Sequence, residues 1–413
     1  MTEIDQKVPR HDCAFADAVA KFVLRDYSKP GPNVRAAFPS SDLWKRVVAT
    51  GTDPWLDTGD IDAADRLWTQ EFTALTTNNT LLNKEVQKGI YDALVPEAAK
   101  MLREADPDID DHRVVLEIAF ILNAVHGLKL VQHFDADVSV ELHTDLANDA
   151  DASYEYGKRF AAIEPERFIV KVPLTPAGIV AAKRLGDDGV RINFTLGFSA
   201  RQNYAIAKLA NPTWVNVFMG RLNAFVKDND LGDGANVGEK ATLSSQRMLR
   251  ELGNGTKQIG ASIRNGQQVA DLLGMDTMTI PTAAAEEFNS LGADVADRTS
   301  NDPEVQLVSS ANAEQIGVFW DISDEFRRAV DGLSDIASDD GSRVAAALGA
   351  IFPTLSDTDR ARVLAESKIP KAASWQDRVD AGTASWDGML TEAALQSFSD
   401  DQRALDDRIR RFL

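Results

Sequence analysis

Between about residue 50 and about residue 285, short runs of β-branched and aromatic residues alternate with longer stretches whose apolar positions recur at three and four. Eight runs read as strands: 54–57, 74–77, 138–142, 168–172, 192–196, 214–218, 258–261 and 277–280. The spacing predicts helices between them over 111–131, 154–162, 176–185, 200–209, 244–251 and 266–273. Eight strands alternating with helices over roughly 230 residues fit an α/β chain folded as a (β/α)8 TIM barrel, for which about 250 residues is typical. A doubly wound sheet is the alternative. No Gly-x-Gly-x-x-Gly follows the first run, however, and Gly232-Asp233-Gly234 sits in a polar loop with the wrong spacing for a phosphate turn.

The flanks read differently. Residues 1–44 form an N-terminal arm with one predicted helix over 14–24, followed by the loop signal Lys29-Pro30-Gly31-Pro32. Beyond 285 the chain is helical and acidic, broken at Ser338-Asp339-Asp340-Gly341 and Lys368-Ile369-Pro370-Lys371. In the stretch 391–413, Leu395, Phe398, Leu405, Ile409 and Leu413 fall at helical spacing, which predicts one face packed on the barrel. The expected organisation is an arm (1–44), a barrel (45–330) and a helical C-terminal extension packing on it (331–413).

Charge narrows the partners. With 44 basic and 64 acidic side chains, the formal charge is 44 − 64 = −20, which disfavours nucleic acid or an anionic membrane and requires any bound phosphate to be held locally. Cys13 is the only cysteine, which excludes an intramolecular disulfide and a cysteine zinc site. The start, Met1-Thr2-Glu3-Ile4-Asp5-Gln6-Lys7, lacks the basic and apolar regions of an export signal. The longest apolar run, 116–125, is too short to span a bilayer. A cytoplasmic location is the resulting expectation.

The most informative segment is Arg167-Phe168-Ile169-Val170-Lys171-Val172-Pro173, which sets one lysine inside an apolar, β-prone run. A barrel strand is buried on both sides, burial disfavours the charged amine, and an uncharged amine is a nucleophile toward carbonyl carbon. Lys171 is therefore a candidate Schiff-base lysine. The alternative is a strand-end lysine whose head reaches water. Chemistry in such a barrel gathers at the C-terminal ends of the strands. Those positions offer Asp57, Asn78, Glu141, Lys171, Asn193, Thr195, Asn216, Ser262 and Arg264. Singly, each has another explanation: Asp57 as a cap beside Thr58-Gly59, Asn78 as a loop residue, Glu141 as an exposed strand residue, Thr195 as packing. Together they supply an amine, two carboxyls, a hydroxyl and amides, which is what Schiff-base chemistry requires. Ser262 and Arg264 follow a glycine-containing strand and suit a phosphate at the far end of a sugar.

These segments resemble the transaldolase family of Schiff-base sugar transferases. The resemblance is carried by Asp57-Thr58-Gly59-Asp60, Thr76-Thr77-Asn78, Val140-Glu141, Val170-Lys171-Val172-Pro173 with Thr175, Asn193-Phe194-Thr195-Leu196 with Phe198-Ser199, Phe218-Met219-Gly220-Arg221 and Gly260-Ala261-Ser262-Ile263-Arg264. The last helix, with Phe398, Asp401, Gln402 and Leu405, is similar too. The resemblance implies a (β/α)8 fold, Lys171 as the Schiff-base lysine, Asp57 as the acid/base at the substrate hydroxyl, and Glu141 and Thr195 holding a proton-shuttling water. It implies Asn78 and Asn193 on substrate hydroxyls, Asn216 and Phe218 near the dihydroxyacetone end, and Arg221, Ser262 and Arg264 on sugar or phosphate. The implied reaction moves dihydroxyacetone from sedoheptulose 7-phosphate or fructose 6-phosphate to glyceraldehyde 3-phosphate or erythrose 4-phosphate, in the pentose phosphate pathway or a specialised sugar route, with no metal or organic cofactor.

Two departures stand out. Asn79 occupies a place where the family commonly has proline, and Asn216 one where many relatives have serine. Segments 1–44 and roughly 330–390 exceed a compact member; they either shape a homodimer contact or have no such role. The nearest alternative is an aldolase releasing free dihydroxyacetone; related aldolases use tyrosine where this chain has Phe218, which favours transfer. A non-catalytic sugar-phosphate-binding barrel would lack one of Asp57, Glu141, Lys171 or Thr195, and all four are present. His133, Asp135, Asp137, His143 and Asp145 surround strand three, but the two histidines flank its opposite ends, roughly 33 Å apart at about 3.3 Å per residue, so no metal site is expected. No Gly-x-Ser-x-Gly elbow or later histidine supports a serine hydrolase.

Overall fold

A computed structural model describes residues 8–333 and 335–413. The opening stretch 1–7, read above for export signals, lies outside the described residues. Eight parallel strands close in sequence order: β1 Asp53–Asp57, β2 Ala74–Thr76, β3 Asp137–Glu141, β4 Phe168–Pro173, β5 Ile192–Thr195, β6 Trp214–Phe218, β7 Lys257–Ala261 and β8 Thr277–Pro281, with β8 pairing back onto β1. Each lies within a residue of its expected run. This is the (β/α)8 barrel, with further helices before and after it.

Burial explains the sequence of β4, all of whose residues are buried. Its alternate side chains face the surrounding helices (Phe168, Val170, Val172) while the others enter the barrel, so no face remains for polar residues except where strands present them to each other. The barrel floor is apolar and aromatic: the Trp55 and Trp214 rings lie 5.0 Å apart, and the Trp214 indole donates to Thr277 at 3.2 Å. Above it the interior turns polar. Asn193 donates to the Ser139 hydroxyl at 3.1 Å, and the Thr76 and Thr279 hydroxyls meet at 2.5 Å.

Helix Asp111–Phe134 corrects one expectation. At 24 residues it is long and apolar enough to cross a bilayer by length and composition, which the shorter run 116–125 concealed. Yet 89% of its most apolar window is buried inside the fold. A Cβ on Gly127 would stand 2.9 Å from Val140 and 3.0 Å from Phe168, so the helix lies directly on β3 and β4. Its Glu117 accepts two hydrogen bonds from Arg159, at 2.9 and 2.6 Å, and one from Tyr156 at 2.6 Å. It is a core helix.

The flanking segments share the barrel's core. Helix Ala14–Val23 packs against helices Leu94–Ala105 and Ala150–Ile163. The C-terminal helix is longer than the spacing suggested, Trp386–Arg410, and packs on Asn79–Gln87 and Asp111–Phe134. Phe398, Leu405 and Ile409 are buried as expected, whereas Leu413 lies past the helix and is exposed. Asp387, at its start, forms a buried two-point ion pair with Arg201 at 2.8 and 2.7 Å, which fixes this helix to the barrel.

Candidate active site

Strand register brings the central groups together. Glu141 pairs with Lys171, and Lys171 with Asn193, as same-level neighbours across β3, β4 and β5. Lys171 is 4% exposed; its Nζ donates to the Thr77 carbonyl at 3.1 Å and stands 3.8 Å from Glu141 Oε2. The amine therefore points into the barrel mouth, not into bulk water, which removes the strand-end alternative. Glu141 also accepts from the Asn79 N–H at 3.1 Å. Burial pushes its carboxyl above the usual range, against the opposing pull of the Lys171 ammonium and the Asn79 N–H.

Asp57 ends β1 across the barrel. It does not cap the following helix, a job taken by Asp60 on the Ala63 N–H. Instead it accepts from the Thr76 hydroxyl at 2.9 Å. Burial raises its carboxyl too, and Lys171 is the largest influence holding it down.

A cavity of about 310 Å³ opens above these groups. Asp57, Lys171, Asn78, Asn193, Asn216, Phe218, Arg221, Ser262 and Arg264 line it. Glu141 and Thr195 do not; they stand behind the wall. Glu141 is in contact with the lysine, and Thr195 is fully buried on β5 with its hydroxyl lacking a hydrogen-bond partner. Asn216 donates to Asn193 at 3.4 Å but leaves its own Oδ1 unpartnered. Asn78 does double duty, capping helix Asn79–Gln87 through the Leu81 N–H at 2.8 Å while facing the cavity.

The far wall is cationic. Arg221 is buried, with its guanidinium 5.8 Å from the ring centres of both Phe218 and Phe398, and Nη1 has no partner. Burial and the like charge of Arg264 push its pKa down to about 10. Close approach is built into the backbone here: a Cβ on Gly220 would fall 2.4 Å from the Ser262 carbonyl and 2.5 Å from Arg264 Nε. Ser262 itself adopts φ 58°, an uncommon conformation for a non-glycine residue. Such a wall can hold a phosphate, and the amine opposite it can add to a carbonyl.

Sequence reasoning missed five polar lining residues: Thr76, Thr80, Lys84, Thr279 and Lys368. Thr80 and Lys84 share a face of helix Asn79–Gln87 at a spacing of four, a signal that was present; Lys368 comes from the C-terminal extension and gave none. His143, Asp145 and Asp406 are the one set among the described residues close enough to share a cation. The Asp145 N–H donates to His143 Nδ1 at 3.1 Å, and Asp406 faces Nε2 at 3.3 Å. The Asp145 backbone N–H and the Asp406 carboxylate thus occupy opposite ring nitrogens. His133 pairs with Asp65 instead, at 2.8 Å.

Comparison with known proteins adds an independent line. A family model described as transaldolase/fructose-6-phosphate aldolase matches residues 54–329. A transaldolase of Schizosaccharomyces pombe is 28% identical over 335 residues, covering 79% of this chain and 98% of the relative. A transaldolase of Xanthomonas euvesicatoria is 31% identical over 245 residues, covering 57% of this chain and 74% of that one. A probable transaldolase of Dictyostelium discoideum is 26% identical, covering 68% and 91%.

Proposed function

Because the chain belongs to the transaldolase/fructose-6-phosphate aldolase family of enzymes, we propose that it transfers a dihydroxyacetone unit between sugar phosphates through a Schiff base on Lys171. The observation that carries this reading is the buried Lys171 amine, 3.8 Å from Glu141, opening into a cavity whose opposite wall holds Arg221 and Arg264.

In this reading the Lys171 amine, once uncharged, adds to C2 of a ketose phosphate such as fructose 6-phosphate or sedoheptulose 7-phosphate. Glu141 and Thr195, through a water, deliver a proton to the carbinolamine oxygen, which leaves as water. Asp57 then takes the proton of the C4 hydroxyl as the C3–C4 bond breaks. The bonding electrons pass to the iminium nitrogen, and an aldose phosphate departs. The enamine attacks the aldehyde of an acceptor such as glyceraldehyde 3-phosphate or erythrose 4-phosphate, Asp57 returns its proton to the new hydroxyl, and water releases the product ketose. Asn78, Asn193 and Asn216 bind hydroxyls near the reacting carbons, and Arg221, Ser262 and Arg264 bind the phosphate. The electron sink is the imine, so no metal or organic cofactor takes part.

Release of free dihydroxyacetone is the competing outcome, and Phe218 argues for transfer, since its ring faces the cavity without a hydroxyl to protonate the enamine carbon. Borohydride reduction with fructose 6-phosphate, followed by peptide mass mapping, should find a dihydroxyacetone-derived adduct on Lys171 and none in Lys171→Ala. An adduct elsewhere, or none, overturns the mechanism; rapid dihydroxyacetone release without an acceptor overturns transfer.

A further inference from the structure

The cavity mouth carries four cations, Lys84, Arg221, Arg264 and Lys368. In a chain with a charge of −20, four cations gather around one cavity, and none of the four has a salt-bridge partner among the described residues. Lys368 is the unexpected member. It lies outside the residues matched by the family model, on the loop after helix Asp357–Glu366.

That loop is held at both ends. Before it, the Glu366 carboxylate accepts from the Lys371 N–H at 2.9 Å and from the fully buried Trp375 indole at 2.7 Å. After it, the Asn229 amide clamps the chain, donating to the Pro370 carbonyl at 3.1 Å and accepting from the Ala372 N–H at 2.7 Å. Asn229 ends helix Met219–Asp228, the helix that carries Arg221. Ser367, just before the lysine, is turned to φ 66° and ψ −130°, a conformation an L residue keeps only when its surroundings impose it. The extension is therefore tied to the same element as the buried arginine, and what it presents to the cavity is one unpaired ammonium.

We infer that Lys368 is a specificity-determining residue that binds the phosphate of the sugar substrate, so that the C-terminal extension completes an anion site begun by Arg221 and Arg264. The inference rests on the sugar-phosphate reading above. An ammonium on a tethered loop contributes a charge-assisted contact that a neutral sugar cannot use. It touches no reacting atom, so it acts on binding and not on the chemical step.

The test compares Lys368→Gln and Lys368→Arg with the wild-type enzyme. Lys368→Gln should raise KM for fructose 6-phosphate about three- to tenfold with kcat within about twofold. It should weaken binding of inorganic phosphate, measured by calorimetry, by a similar factor, and leave KM for unphosphorylated fructose unchanged; Lys368→Arg should restore both. The side chain is exposed and unpaired, so neither variant should lose stability. Unchanged KM and phosphate affinity in Lys368→Gln, or an equal loss for fructose, overturns the inference. Borohydride trapping on the same wild-type preparation separates the two readings. No Lys171 adduct overturns the Schiff-base mechanism alone, because phosphate calorimetry still reports on Lys368.

Discussion

Replacing Arg221 by methionine should leave the ligand-free protein at least as stable while abolishing its response to phosphate. The guanidinium is 7% exposed, lacks an ion-pair partner among the described residues and has one nitrogen without any hydrogen bond. Burial and the neighbouring Arg264 push its pKa down from the ordinary arginine value to about 10, with Asp401 opposing. At about 1.4 kcal/mol per pKa unit, the fold disfavours this charge by roughly 3 kcal/mol, an order of magnitude. Methionine keeps an unbranched stem against Phe218 and Phe398 without the charge. The variant should therefore melt at the wild-type temperature or a few degrees above it. Because the folded pKa lies below the unfolded one, the penalty is fully present below about pH 10 and is released only as pH rises from there into the ordinary arginine range. The melting difference should accordingly be flat from about pH 6 to 9. Inorganic phosphate should raise the wild-type melting temperature and not the variant's, and KM for a phosphorylated ketose should rise roughly 10- to 100-fold, as expected for losing a buried charge-assisted contact. Scanning calorimetry with and without phosphate measures all but the last. A variant that loses several degrees without phosphate, or that phosphate stabilises as much as the wild type, refutes the reasoning.

Asp57→Asn should separate stability from activity. Burial raises its carboxyl in the folded state, so its ionisation costs stability once pH exceeds the ordinary carboxylate range; the variant should melt above wild type at pH 7, converge with it below about pH 4, and lose turnover at least 100-fold. Thr195→Val removes a hydroxyl with no partner at an unchanged shape; calorimetry should show melting within about two degrees of wild type while kcat falls tenfold or more, and equal kcat would remove Thr195 from the mechanism. Gly220→Ala should cost about 1–3 kcal/mol in urea titration and weaken phosphate binding, since its Cβ would displace Ser262 and Arg264.

The barrel was legible because each strand is a short apolar run buried on both faces, and the intervening helices keep their period. The site was legible where a polar residue interrupts such a run, as Lys171 does in β4 and Asn193 does in β5. It was less legible where position depends on what other segments do. Asn78 stands past β2, as a helix cap that also faces the cavity. Glu141 and Thr195, expected at the mouth with the rest, lie behind the cavity wall, because strand alternation fixes the face of the sheet but not the depth. Lys84 lay on a recognisable helix face. Lys368 could not have been placed, since its position follows from contacts between Asn229 and a loop more than 100 residues away in sequence.

The same contacts explain how the fold tolerates so many uncompensated groups in one place. Thr195, Asn216 and Arg221 account for three of the nine buried side-chain atoms without hydrogen bonds among the described residues, and all three belong to β5, β6 or the helix that follows. Unsatisfied polar atoms each cost about 1–3 kcal/mol, and two raised carboxyls add to them. A region so disfavoured would relax if its neighbours were free to move. They are not: the Arg201–Asp387 pair, with Ser199 and Ser385 both donating to the same carboxylate at 2.7 and 2.6 Å, locks the C-terminal helix to the segment after β5. That lock sets Phe398 against Arg221 and brings Asp401 close enough to oppose the fall in its pKa. The buried Arg201–Asp387 lock outside the cavity is what holds unpaired groups inside it, and unpaired groups are the ones free to bind a substrate.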